Sequence, residues 1–125
     1  MARRVFLSFS SKDKHVAHSI LKQLRGVGAE VIGAEPIAEG AEIKLQIADA
    51  MRQSDELIAI VSKNSAQSTW QNFEIGAALA LGKKVTPILV GVGVKKLSPV
   101  LRSLHAIDFA DFREYILRQS NRFQD

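Results

Sequence analysis

The chain has 125 residues, of which 46% are hydrophobic and 24% charged, and it contains no cysteine. This size and composition are typical of one globular domain with a hydrophobic core, so we predict a single domain over residues 1–125. Disulfides, thiolate zinc sites and cysteine nucleophiles are excluded, and the net charge of +4 comes from dispersed Lys and Arg pairs that do not predict nucleic-acid binding.

The N-terminal apolar run, Val5–Leu7, is too short for the core of a signal peptide. A membrane-spanning helix needs about 18 or more consecutive apolar residues, and the sequence contains no such stretch. We therefore expect a cytoplasmic protein without a membrane span.

The first half of the chain alternates predicted strands and helices. A short strand at Val5–Phe9 precedes Ser10 and Asp13, whose spacing resembles a capping box at the start of a helix. Glycines at 26 and 28 end that helix, and a second strand follows at Ala29–Ile32. The residues predicted to face the core from the first helix and from a second helix after the 33–40 loop are Val16, Ile20, Leu24, Val27, Ile43, Ile47, Ala50 and Met51.

The second half begins with Leu57–Val61, which is continuously apolar and therefore typical of a central parallel strand covered on both faces. A polar loop over Ser62–Ser68 leads to a helix that carries Glu74, and Ser68 with Gln71 forms a possible helix-opening cap. The remaining predicted features are a helix stop at Gly82, a strand at Val85–Val90, a helical turn at Val100–Leu104, a strand at Ala106–Phe109 and a terminal helix from Asp111.

Strictly alternating strands and helices predict an α/β fold: a flavodoxin-like open parallel five-stranded sheet in the order 2-1-3-4-5, with helices on both faces. Pro87 is unusual within the fourth strand because proline cannot donate to the ladder. We therefore expect this strand to lie near an edge, to be bulged, or to begin later.

Glu74 is the one charged residue between Lys63 and Lys83. It falls among residues spaced as one apolar helix face: Trp70, Phe73, Ala77, Ala78 and Leu81. A carboxylate in apolar surroundings is costly unless it is paired, neutralised or open to a ligand cleft. A satisfied structural carboxylate and a functional one are therefore both open from the pattern alone.

Ligands of such sheets bind at the carboxyl ends of the strands, beside the switch point between the first and third strands. The loops 9–13 and 62–68 meet there, and the second delivers the first turns of the Glu74 helix. The first loop lacks the clustered acidic residues of a phospho-accepting receiver domain, and the chain has no Walker motif, no G-x-S-x-G elbow and no metal-ligand cluster. Glu74 is thus the leading candidate for chemistry at this edge.

In this order and spacing, the motifs resemble those of a Toll/interleukin-1 receptor (TIR) domain of the compact bacterial type. The resemblance covers nearly the whole chain. It rests on Phe6–Asp13, on Ile37 and Gly40 in the second loop, on Asp55–Ser62, on Ser68, Trp70 and Glu74 in an S-x-W-x-x-x-E pattern, and on Lys84–Leu89 with its proline.

The resemblance implies that Glu74 is catalytic and cleaves the nicotinamide–ribose bond of NAD⁺, giving nicotinamide and ADP-ribose or a cyclic isomer. It implies a substrate-binding role for Phe9, Ser10, Ser11, Ile37 and Trp70, with NAD⁺ as substrate and with no further cofactor or metal. It also implies self-association through TIR–TIR contacts, a sensor that is fused or separate, and a role in bacterial anti-phage immune signalling.

One position departs from the family pattern. Many members carry Asp seven residues before the second-loop glycine, whereas this chain has Gly33 there, with Glu35 nearby. A non-catalytic TIR interaction module therefore stays open as an alternative, and so does an enzyme of the nucleoside deoxyribosyltransferase kind.

Overall fold

The computed structural model describes residues 2–32, 48–65 and 69–124, apart from the side chains of Thr69, Trp70 and Lys96. Its five strands form one parallel sheet in the order β2-β1-β3-β4-β5, which confirms the predicted fold. The strands are β1 (Arg4–Ser8), β2 (Glu30–Ile32), β3 (Glu56–Val61), β4 (Lys84–Leu89) and β5 (Ile107–Asp108).

Helices connect the strands along the chain. They are α1 (Lys14–Gly26), α2 (described over 48–53), α3 (Thr69–Ala80), α4 (Pro99–Arg102), α5 (Phe112–Arg118) and α6 (Ser120–Gln124). The predicted terminal helix is thus two short helices, and β5 has only two residues. None of the described helices has the length and hydropathy that crossing a bilayer requires.

The side chains of β3 explain why its sequence is continuously apolar. Ile58 and Ile60 belong to a core cluster with residues of α1, α5 and α6 on one face of the sheet. Leu57 and Ala59 belong to a second cluster, which includes Met51 of α2 as well as residues of α3 and α4. Because both faces are covered by helices, every β3 position is removed from water.

Pro87 lies inside β4, opposite Ala59 of β3. The Val90 amide donates to the Val61 carbonyl of β3. In a parallel sheet, alternate residues of a strand form hydrogen bonds with the same neighbouring strand. The Pro87 nitrogen therefore faces β5. β5 pairs only with Ile88 and Leu89 of β4. Pro87 therefore removes no hydrogen bond to β3, which confirms the expectation that it lies near an edge.

An ion-pair cluster around the fully buried Glu56 lies at the amino ends of the strands. Glu56, the first residue of β3, is 0% exposed, and its Oε1 accepts hydrogen bonds from Arg3 Nε at 2.9 Å and Arg122 Nη1 at 2.6 Å. Arg122 Nη2 also donates to the Tyr115 hydroxyl at 3.0 Å. The cluster ties β1, β3, α5 and α6 together.

Candidate active site

Glu74 lies in the second turn of α3, which packs at the carboxyl edge of the sheet. The buried face of this helix consists of Gln71, Ile75 and Ala78. Phe73 is 37% exposed and Leu81 is 42% exposed, so the predicted apolar face through these two residues is wrong. Glu74 is half-buried beside the true buried face, because α3 carries apolar residues on all sides and its pattern did not define one face.

The Glu74 carboxylate is held by the last residue of β1. Ser8 Oγ donates to Glu74 Oε1 at 2.8 Å, and Ser8 itself is 1% exposed. No hydrogen bond or ion pair with another described residue involves Glu74 Oε2. The second carboxylate oxygen is thus uncommitted within the described part of the chain.

The pKa of Glu74 is raised from 4.5 to about 7. Burial raises it because the charged form loses hydration, while the Ser8 hydrogen bond opposes that rise by stabilising the carboxylate. No cationic side chain of the described residues contributes. The side chain is therefore close to half-ionised near neutral pH.

Gln71, one turn before Glu74, anchors α3 to the sheet. Its Nε2 donates to the Ile60 carbonyl at 2.8 Å and to the Ser8 carbonyl at 3.4 Å. These two carbonyls belong to β3 and β1, the strands on either side of the switch point. Gln71 therefore fixes the Glu74 turn where ligands of this fold bind. The cap predicted between Ser68 and Gln71 involves Ser68, which lies outside the described residues.

A second set of polar contacts joins the loops after β1 and β3. Asp13 Oδ2 accepts from Ser62 Oγ at 2.5 Å, and Asp13 Oδ1 accepts from Asn64 Nδ2 at 2.8 Å. Ser10 Oγ accepts from the Lys12 amide, but Asp13 makes no side-chain cap for α1. The predicted capping box is thus wrong in its second half, because the Asp13 carboxylate is used across the sheet edge.

The predicted substrate-binding residues have different environments. Ser10 is half-buried and Ser11 is exposed, and both lie in the loop that begins one residue after Ser8. Phe9 is half-buried and packs against the core under α1 and α5, on the sheet face opposite α3. Trp70 belongs to the first turn of α3. Ile37, Gly33, Glu35 and Gly40 lie outside the described residues.

Sequence reasoning missed Ser8 and Gln71 as parts of this site and did not connect Asp13 with Ser62 and Asn64. Ser8 belongs to the predicted first strand, and its position at the carboxyl end of that strand, beside the switch point, is the sequence signal for a site residue. The contacts of Asp13 carried no such signal, because they join residues about 50 positions apart in sequence.

A cavity lies away from these residues. It has a volume of about 630 Å³ and is lined by Lys84, Thr86, His105 and Tyr115, among others, between β4, β5 and α5. It contains no residue of the Glu74 edge. In the described part of the chain, moreover, no three His, Asp or Glu side chains are grouped to hold a metal ion.

Comparison with solved structures supports the fold. A TIR-STING receptor from C. gigas, solved in complex with 2',3'-cGAMP, has a TM-score of 0.70 and 28% identity over 96% of this chain and 38% of that one. The chain therefore spans about two-fifths of that receptor's length.

Two further structures share the fold at lower identity. The TIR domain of the Toll-related receptor TRR-2 from Hydra magnipapillata has a TM-score of 0.72 and 17% identity, over 94% of this chain and 91% of that one. A CMP N-glycosidase from Clostridium botulinum has a TM-score of 0.72 and 24% identity, over 96% of this chain and 99% of that one.

No curated protein matches the sequence. The family model described as TIR domain matches residues 5–120, which is nearly the whole chain. This match agrees with the parallel sheet in the order 2-1-3-4-5 and with the structural likeness to a TIR domain. The chain belongs to the TIR-domain family.

Proposed function

We propose that this TIR domain is an NAD⁺ glycohydrolase or ADP-ribosyl cyclase in which Glu74 is the catalytic carboxylate. It breaks the nicotinamide–ribose bond and yields nicotinamide with ADP-ribose or a cyclic ADP-ribose. The proposed setting is cytoplasmic immune signalling against phage, with a sensor that is either fused to this domain or a separate protein.

The observation that carries this proposal is the contrast between Glu74 and the fully buried Glu56. Glu56 has the environment of a structural carboxylate, because it is fully buried and bound by two arginines. Glu74 has no cationic partner among the described residues, uses one oxygen for Ser8, and has a pKa of about 7. A perturbed carboxylate at the ligand-binding edge of the sheet is typical of a functional group.

The chemistry needs only one carboxylate. When the C1'–N bond breaks, its electron pair moves to the ring nitrogen, so the pyridinium leaves as neutral nicotinamide without protonation. Positive charge then develops on C1' and the ribose ring oxygen, and the ionised Glu74 stabilises it electrostatically. The cationic substrate also favours the ionised form of Glu74.

Capture of C1' decides the product. If water attacks, its oxygen forms the new bond and its proton is released, which gives ADP-ribose. If an adenine nitrogen or a ribose hydroxyl of the same molecule attacks, a proton is released and a cyclic ADP-ribose forms, which contains one water fewer than ADP-ribose. In both routes Ser8 orients Glu74, whereas the loop that contains Ser10 and Ser11 borders the substrate, with Ile37 and Trp70 as further contacts.

The test is incubation of concentrated protein with NAD⁺, followed by chromatographic separation of nicotinamide, ADP-ribose and cyclic products. Wild type should release nicotinamide, and Glu74→Ala should not. Equal turnover by both proteins would exclude Glu74 as the catalytic residue. Turnover by neither, at concentrations that drive self-association, would favour the non-catalytic interaction module.

The same experiment distinguishes an NAD⁺-cleaving enzyme from a nucleosidase that prefers another substrate. CMP and deoxynucleosides are incubated in parallel, because the CMP N-glycosidase has the same fold. Release of free base from these compounds, with NAD⁺ left intact, would support the deoxyribosyltransferase-like alternative. Nicotinamide release that rises more steeply than protein concentration would show that the active form is self-associated.

A further inference from the structure

Asp13 is placed where an aspartate ordinarily caps a helix, yet it does not cap one. It is the N-cap residue of α1, and its side chain makes no cap hydrogen bond. It is only 7% exposed, and both carboxylate oxygens accept hydrogen bonds from the loop after β3. The structure therefore uses a buried charge to join two loops that are distant in sequence.

Hydrogen bonds within the loop after β3 hold the residues that contact Asp13. Ser62 Oγ donates to Asp13 and accepts from the Asn64 amide at 3.0 Å. The Ser62 amide donates to Ser65 Oγ at 2.8 Å, and Ser65 Oγ donates back to the Ser62 carbonyl at 3.2 Å. Hydrogen bonds to a charged acceptor are stronger than neutral ones, so the contacts to the Asp13 carboxylate are the strongest that hold this turn.

The position of Asp13 in the chain connects these contacts to the Glu74 site. Residues 9–12, which include part of a 3₁₀ turn (Ser11–Asp13), are called the 9–12 loop. Both residues that flank it are fixed: Ser8 is bound to Glu74, and Asp13 is bound to Ser62 and Asn64. In sequence, α3, which carries Glu74, follows the second loop. The Ser8–Glu74 contact holds one end of residues 9–12 to α3, and the Asp13 contacts hold the other end to the loop after β3. Loss of the Asp13 contacts therefore releases one of these two ends.

We propose that Asp13 is a positioning residue that fixes the 9–12 loop relative to Glu74, so that this loop binds substrate in one geometry. The kinetic part of the inference rests on the proposed NAD⁺ cleavage. Loss of the Asp13 contacts weakens substrate binding, while the Ser8–Glu74 contact, and with it the protonation of Glu74, stays intact. The signature is therefore an increase in KM without a shift in the pH profile.

The kinetic test compares Asp13→Ala, Ser62→Ala and the double variant. KM for NAD⁺ is expected to rise about tenfold in each single variant, because small misplacements of binding groups are costly. The double variant should be no worse than Asp13→Ala, because both substitutions remove the same contact. Ser62→Thr keeps a hydroxyl and should restore KM to within about twofold of wild type.

Asp108→Ala is the matched control. Asp108 accepts a hydrogen bond from the Ala110 amide and caps a short helical turn after β5, away from Glu74. Its substitution should leave KM unchanged. The proposal is overturned if Asp108→Ala raises KM as much as Asp13→Ala does, or if Asp13→Ala shifts the acid limb of the kcat/KM profile.

Hydrogen exchange tests the contacts of Asp13 with Ser62 and Asn64, here called the clamp, without any reference to activity. In Asp13→Ala, the amides of Ser62 and Asn64 should exchange at least about tenfold faster than in wild type, and in Asp108→Ala they should not change. If wild type leaves NAD⁺ intact but this exchange pattern holds, the proposed function fails and the clamp stands. Unchanged exchange in Asp13→Ala overturns the clamp. Asn64→Ala, which removes one of the two hydrogen bonds to Asp13, replaces Asp13→Ala if that variant does not fold.

Discussion

Ser8 Oγ donates a hydrogen bond to Glu74 Oε1 at 2.8 Å, and this contact joins the end of β1 to the second turn of α3. The serine is almost fully buried, whereas the glutamate is half-buried at the edge where ligands of this fold bind. One carboxylate oxygen is therefore oriented by the sheet, and the other makes no hydrogen bond to a described residue. The hydrogen bond also affects the charge of Glu74, because it opposes the increase in pKa that burial causes.

Replacing Ser8 by Ala should move the acid limb of the kcat/KM profile to higher pH. The wild-type limb is expected near pH 7, since this profile reports the pKa of the free enzyme. Removing the donor destabilises the ionised form, so the pKa of Glu74 rises further above its usual range. Initial rates of nicotinamide release between pH 5 and pH 9 measure the shift.

Ser54→Ala is the control for that experiment. Ser54 is as buried as Ser8, and its Oγ donates to the Ala50 carbonyl at the other end of the sheet. Its loss should change stability but leave the position of the limb unchanged. If the two serine variants shift the limb equally, Ser8 does not act through Glu74.

Glu74→Gln should change how stability depends on pH. With a folded-state pKa of about 7 and an unfolded value near 4.5, the folded protein binds more protons between these pH values. The stability of wild type therefore falls as pH rises through this window and is lowest above it. The neutral glutamine removes this penalty, so the variant should gain about 1–3 kcal/mol over wild type at pH 8.

Urea denaturation at pH 4.5, 6 and 8 measures this effect. The difference in unfolding free energy between variant and wild type should grow across the three pH values. A difference that stays constant would mean that folding does not raise the pKa of Glu74.

Lys12 and Lys63 are expected to attract the diphosphate of NAD⁺. Both side chains are exposed, and they lie on the two loops that Asp13 joins. Replacing both by Ala should raise KM about three- to tenfold at low salt and reduce the dependence of KM on salt, because exposed charges act over roughly a Debye length. Steady-state kinetics between about 20 and 300 mM salt would show this.

Lys22 and Lys95 provide a matched pair of substitutions, because they are exposed lysines on α1 and in the segment after β4. Their removal lowers the net charge equally but leaves the two loops intact. An equal effect of the two double variants on KM would assign the attraction to net charge rather than to the site.

Arg122→Ala should destabilise the fold far more than Arg118→Ala. Arg122 binds the fully buried Glu56 carboxylate, whose loss of a partner costs about 2–4 kcal/mol, whereas exposed pairs contribute about 0–1 kcal/mol. Arg118 pairs with Glu114, and both of these side chains are exposed. Denaturant titrations at pH 7 compare the two variants, and similar free energies of unfolding would refute a structural role for the Glu56 cluster.

The sequence patterns predicted the sheet well because they report burial directly. Leu57–Val61 was continuously apolar, and the structure places β3 at the centre of the sheet under helices on both faces. The apolar face of α3 could not be predicted, since Phe73 and Leu81 had the same spacing as core residues but are exposed. Periodicity identifies a buried face only when the opposite face is polar.

The location of the candidate site could be predicted from the sequence, but its hydrogen bonds could not. The position of Glu74 followed from topology and from the family motif, and its half-buried carboxylate lies where the fold places ligands. The Ser8 contact spans 66 positions and the Asp13–Ser62 contact spans 49. Such hydrogen bonds depend on how loops close in three dimensions, which local spacing does not encode.

In the proposed reaction, cleavage of the nicotinamide–ribose bond depends on the negative charge of Glu74. The most direct measurement is the kcat for nicotinamide release by wild type, Glu74→Gln and Glu114→Gln at pH 8. Gln at position 74 keeps the size of the side chain and an oxygen that can accept from Ser8 but removes the charge, while Glu114 is an exposed carboxylate on α5. We predict that kcat falls at least about 100-fold in Glu74→Gln and is unchanged in Glu114→Gln. A Glu74→Gln protein that releases nicotinamide at the wild-type rate would contradict the account.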